Sequence, residues 1–154
     1  MTMLWEKINE DLVSAMKRKD DVHLRTLRLL VSAMQNREIE KKGKGEDPLL
    51  SDEEILGLIR REAKKRKEAA ALYVQGGRAE LAAKEEEELR VLESYLPPEP
   101  GEDVLRAAVD AAIAAVRPAG MKDFGRVMGA VMKETGGGAD AALVQRIIKE
   151  KLGQ

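Results

Sequence analysis

The chain has 154 residues, room for one domain or two small ones, and its 27 Lys and Arg nearly balance 28 Asp and Glu, for a formal net charge of −1. It contains no cysteine and a single histidine, His23, which excludes disulfides, thiolate catalysis and cysteine- or histidine-rich metal sites. A near-neutral balance argues against a general DNA-binding protein.

Aromatic residues make up only 3% of the chain, so stacking platforms for exposed bases are scarce. The abundance of Ala, Leu, Glu, Lys and Arg favours helix throughout. The opening MTMLWEKINEDL carries charge too early for a secretory signal. No apolar run approaches the roughly 20 residues that a spanning helix needs. The expectation is a soluble, cytoplasmic protein without membrane contact.

Residues 3–19 read as an amphipathic helix with Leu4, Ile8, Leu12, Val13 and Met16 inward and Trp5 at the edge of that stripe. Asp20 and Asp21 punctuate the chain and can cap the next helix, 22–40, whose stripe is Leu24, Leu27, Leu30, Val31 and Met34. KKGKGEDPLL, from Lys41 to Leu50, reads as a flexible connection. Ser51 followed by Glu54 forms a capping box. The helix it opens, 51–75, turns Ile55, Leu58, Ile59, Ala63, Ala70 and Tyr73 inward. Gly76-Gly77 reverses the chain into a fourth helix, 78–95, with Leu81, Leu89, Leu92 and Leu96 inward.

The two long helices carry opposite charge. Arg60, Arg61, Lys64, Lys65, Arg66 and Lys67 form a basic cluster, and Glu85 to Glu88 an acidic one. They either pair along an antiparallel hairpin or leave the basic side as a patch for RNA phosphate.

PPEPG, residues 97–101, is a short stiff linker and a domain boundary. Three short helices follow, at 102–116, 122–134 and 139–152. The first buries Val104 or Leu105 together with Ala108, Val109, Ala112 and Ile113. The second presents Phe124, Val127, Met128, Val131 and Met132, and the third Leu143, Val144, Ile147, Ile148 and Leu152. No alternating run predicts a strand. The fold expected is all-α: a four-helical domain over 1–96, the proline-rich linker, and a three-helix tail over 102–154.

The tail holds the most pointed feature of the sequence. Gly125 and Gly129 sit four apart inside a helical pattern, each costing that helix up to about 1 kcal/mol relative to alanine. They imply close approach, by a second helix of the tail or by a ligand backbone. The reading adopted is a helix-packing spacer. Gly136, Gly137 and Gly138 stop the helix before Asp140 starts the next, a flexible break or an anion contact at a helix N-terminus. The missing P-loop lysine, the missing strand and the charge of Asp140 argue against nucleotide binding. No paired carboxylates or nucleophile elbow mark a catalytic centre, and no cofactor or metal is expected. Lys122, Arg126 and Lys133 could supply phosphate contacts around the second tail helix, with Lys64 and Arg66 on the basic helix as a second surface.

The sequence resembles the YqeY family over essentially its whole length. MKDFGRVMGAVMKETGGGADAALVQRIIKEKL, residues 121–152, also resembles the tail of the B subunit of bacterial aspartyl/glutamyl-tRNA amidotransferase. LRTLRLLVSAMQNREIE and the segment from SDEEILGLIRREAKKRKEAA to VLESYLP carry the family likeness in the amino-terminal half. The resemblance implies two all-helical domains and a tail that contributes to tRNA recognition, with Gly125, Met128, Gly129, Gly136, Ala139, Asp140 and Val144 as its motif residues and none of them catalytic. The catalytic portion of that B subunit and the serine-lysine amidase of its partner subunit have no counterpart in this sequence. The resemblance therefore implies a non-catalytic adaptor for tRNA or another structured RNA. The alternatives are a protein-interaction module in an RNA-related assembly, or an accessory component of a carbon–nitrogen ligase that uses glutamine as amido donor.

Overall fold

A computed structural model describes residues 1–153. Its described residues form seven α-helices and one 3-10 turn: α1 (Met3–Arg18), α2 (Asp21–Gly43), α3 (Asp52–Gln75), α4 (Ala79–Glu93), α5 (Glu102–Val116), the 3-10 turn Met121–Asp123, α6 (Phe124–Glu134) and α7 (Ala141–Leu152). The protein is all-α. Two compact units divide at Leu96 and Pro97.

The first unit, Met1–Leu96, packs α1 to α4 around Trp5, Ile8, Leu27, Leu30, Met34, Leu50, Ile55, Ile59, Ala63, Val91 and Leu92. Local signals start its helices. The Asp20 carboxylate accepts from the His23 amide at 3.1 Å. Ser51 and Glu54 exchange capping bonds at 3.1 and 2.9 Å, a complete capping box. After α3 the chain reverses at Gly77, whose φ of 71° is left-handed and suits glycine.

The inward face of α1 is rotated from the expected stripe. Val13 and Met16 are exposed, whereas Trp5 and Ala15 are buried. The indole explains the rotation: Trp5 is fixed in the core by donating Nε1–H to Glu38 of α2 at 2.8 Å, and a large ring with a satisfied polar edge outweighs two smaller side chains.

The Lys41–Leu50 segment is not a free connection. Lys41 belongs to the last turn of α2 and is 8% exposed. Its ammonium donates to the Leu49 carbonyl at 2.9 Å and to Glu54 at 3.1 Å. Leu50, the last residue of the segment, is fully buried. One lysine thereby ties the end of α2, the loop and the start of α3 together.

The second unit, Pro97–Gln154, packs α5, α6 and α7 around Leu105, Val109, Val127, Val131, Val144, Ile147 and Ile148. Of the two readings at the start of α5, Leu105 is buried and Val104 exposed. Ion pairs border the core: Arg106 reaches Glu102 and Glu150, and Lys151 reaches Asp110.

Candidate nucleic-acid interface

The two proposed RNA surfaces have different environments. On the α3–α4 hairpin, Arg66 points at carboxylates of both helices: Glu62 at 3.2 Å, Glu85 at 3.4 Å and Glu88 at 3.5 Å. Glu88 is 7% exposed and also accepts from Arg25 of α2 at 2.7 Å. That bond to Glu88 holds the Arg25 guanidinium above its ordinary pKa. Of the two readings of the opposite-charge clusters, pairing along an antiparallel hairpin is the one realised around Arg66. Arg66, its side chain 20% exposed, is thus held in a part-buried charge network rather than standing as an open cation. Lys64 remains exposed, with Glu68 at 4.0 Å. Lys65 and Lys67 have acidic neighbours as well, Glu62 at 3.2 Å and Glu93 at 3.5 Å.

The second surface lies on α6. Lys122, in the 3-10 turn, is followed by Arg126, Gly129 and Lys133 at steps of four, three and four residues, with Gly125 beside them. Such steps place residues on one side of a helix. All five are exposed. Val127 and Val131 occupy the opposite, fully buried side, and Phe124, Met128 and Met132 pack against the core between. Among the described residues, Lys122 and Lys133 have no carboxylate partner, and Arg126, 69% exposed, meets Asp123 only at 3.8 Å. An exposed pair at that distance is a weak restraint.

The glycines on this face have no internal cause. A Cβ built on Gly125 or Gly129 meets nothing within 4 Å. The reading of these two as helix-packing spacers is therefore overturned: α6 packs on α5 and α7 through valines, and the glycines face outward. What they do is leave the helix backbone bare between three cations.

The triple glycine has a different task. Gly136 and Gly137 adopt left-handed φ of 65° and 77°. The Gly137 amide then reaches back to the Met132 carbonyl at 3.1 Å, which closes the C-terminus of α6. This is a specific stop rather than a loose break. An anion at the start of α7 would need the free amides there. Asp140 already accepts from Ala142 and Leu143 at 3.0 and 3.5 Å, so two of the amides that an anion would use there are occupied by a carboxylate. Of the other tail-motif residues, Val144 is fully buried, and Ala139 and Met128 pack partly buried against the same core.

Among the described residues no group of acidic or histidine side chains is arranged to hold a metal ion, and no helix is long and apolar enough to cross a membrane. His23 contacts Asp20 at 2.9 Å beside the cap of α2. The features that sequence patterning missed are Lys41, Glu88 and Arg25. Each is a charged residue whose partner lies on another element, and helical periodicity carries no signal for that.

The sequence is similar to proteins named altered inheritance of mitochondria protein 41, mitochondrial. It is 33% identical to that of Vanderwaltozyma polyspora over 89 residues, 58% of this chain and 46% of the relative. The Kluyveromyces lactis protein of the same name is 33% identical over 88 residues, 57% of this chain and 45% of the relative. The Pyrenophora tritici-repentis protein of that name is 29% identical over 150 residues, 96% of this chain and 80% of the relative. The chain spans less than half the length of the first two of these curated relatives. Residues 5–152 match the family described as Yqey-like protein, and the chain belongs to that family.

Proposed function

We propose that this protein is a non-catalytic adaptor that recognises tRNA or another structured RNA through the outward face of α6. One observation carries the reading: Lys122, Arg126 and Lys133 share an exposed face with two glycines that the protein's own packing does not require. Glycine inside a helix is costly, and bare backbone between cations is what a phosphate–sugar chain can approach closely. The resemblance of residues 121–152 to an amidotransferase tail that contributes to tRNA recognition supports the same reading. Lys64 on α3 offers a secondary phosphate contact. Arg66, occupied by three carboxylates, does not.

Binding of the full chain to unmodified tRNA across a salt series tests this. Affinity should fall with salt, and Lys122→Gln, Arg126→Gln and Lys133→Gln combined should flatten the log–log slope by about 2 to 3, roughly 0.7–0.9 per lost phosphate contact. Absence of binding at low salt, or a triple variant with an unchanged slope, overturns the proposal.

A further inference from the structure

We infer that the α6 face receives the shallow minor groove of an A-form RNA duplex, rather than a single strand or B-form DNA; this rests on the RNA reading above. The first reason is how deeply α6 is set. Val127 and Val131 are fully buried, α5 and α7 pack against the helix, and one side alone faces out. A helix flanked in this way cannot be inserted into a deep groove. A-form RNA presents a deep, narrow major groove and a wide, shallow minor groove lined by 2′-hydroxyls and phosphates. A half-embedded helix can lie against the latter. The minor groove of B-DNA, about 6 Å wide, excludes a helix of about 10–12 Å diameter. Its major groove takes a protruding helix whose side chains reach base edges, whereas α6 is set between α5 and α7 and exposes only Gly125, Arg126, Gly129, Lys133 and Glu134.

The second reason is the spacing of the charges. Lys122, in the 3-10 turn that leads into α6, and Lys133, near the end of α6, lie roughly 17 Å apart at about 2 Å per residue through the turn and about 1.5 Å along the helix, one at each end of the bare stretch. Cations at the two ends suit phosphates on the opposite rims of a groove, and the backbone between them can approach the 2′-hydroxyls.

The third reason is where the aromatic rings are. Recognition of unpaired bases relies on exposed aromatic side chains. Trp5 is 4% exposed and bonded to Glu38. Tyr95 is half-buried and donates to Asp11 at 2.5 Å. Phe124 packs against the tail core, and Tyr73 is half-buried in α3. These four are all the aromatic residues of the chain, and none lies open on the α6 face.

The test compares three probes at one salt concentration with the full chain: an RNA hairpin with a continuous stem, an unstructured RNA of the same length, and a DNA hairpin of the same stem sequence. The RNA stem should bind about tenfold tighter than either of the others, and the combined Lys122→Gln, Arg126→Gln and Lys133→Gln variant should lose that preference while keeping its thermal transition. Equal or tighter binding of the unstructured RNA overturns the duplex inference and leaves the RNA reading standing. Equal binding of the DNA hairpin overturns the A-form inference in the same way. Failure of all three probes to bind at low salt overturns both.

Discussion

The two units of this chain are built from the same helical material and treat charge in opposite ways. The first places Lys41 and Glu88 inside, each bonded to groups on other elements: Lys41 to the loop carbonyl of Leu49 and to Glu54, Glu88 to Arg25 and Arg66. The second buries only apolar side chains among its described residues and keeps its ion pairs at the rim. A buried ion adds little net stability but is costly to leave unpaired. Lys41 and Glu88 therefore join elements of the first unit, whereas Lys122 and Lys133 of the second have no carboxylate partner among the described residues. The same contrast separates the two proposed RNA surfaces. On the hairpin Lys64, Lys65, Arg66 and Lys67 have acidic neighbours, and Arg60 and Arg61 have none among the described residues; of the α6 surface only Arg126 has one.

The sharpest way to break this contrast is to open each core. Ile147→Ala in the second unit and Ile59→Ala in the first each remove a fully buried side chain, at a cost of about 2–5 kcal/mol. In a core as small as that of the second unit this is a large part of total stability. Hydrogen exchange should show protection collapsing across α5, α6 and α7 for Ile147→Ala, and a smaller fractional loss within the first unit for Ile59→Ala.

A step smaller is Lys41→Met, which leaves the Leu49 carbonyl and Glu54 without their ammonium and should cost about 1–3 kcal/mol in chemical denaturation. Glu88→Gln, which keeps the shape but removes the charge facing Arg25 and Arg66, should cost about 1–2 kcal/mol. The smaller figure follows because Arg66 keeps Glu62 and Glu85 and Arg25 is partly exposed. Arg126→Gln, by contrast, should leave stability unchanged within about 0.5 kcal/mol, since its pairing is exposed.

The pH response is finer still. The Ser51 amide, with Lys41 beside it, holds the Glu54 carboxyl below its ordinary pKa of 4.5. Its contribution to stability is therefore fully present above about that ordinary value. It is lost as pH falls through the lower folded-state value. Lys41→Met should weaken this acid-side dependence, which denaturation midpoints measured across an acid pH series would register.

Much of the helical layout was legible because its signals are local. Ser51 with Glu54, Asp20 ahead of α2 and the glycine reversal after α3 each act within a few residues. Inward faces were legible where aliphatic side chains repeat, as in Ile55, Ile59 and Ala63 or Val144, Ile147 and Ile148. They were misread in α1, where the partner of Trp5 lies 33 residues away on α2. The Lys41–Leu50 segment looked loose because glycine and proline are read locally, while its anchor is a lysine bonded across the loop. Gly125 and Gly129 show the limit most plainly. Their spacing announced a close approach, but only the three-dimensional arrangement reveals that they face away from the neighbouring helices.

The central claim is that those glycines serve an external contact. Gly125→Leu with Gly129→Leu tests it in one preparation, because thermal stability and tRNA affinity should move apart. Leucine is a strong helix former and open space surrounds both positions, so the transition temperature should hold or rise. Affinity for tRNA should fall by about tenfold, the equivalent of about 1.4 kcal/mol. A more stable variant that binds tRNA as tightly as the parent chain would contradict the account.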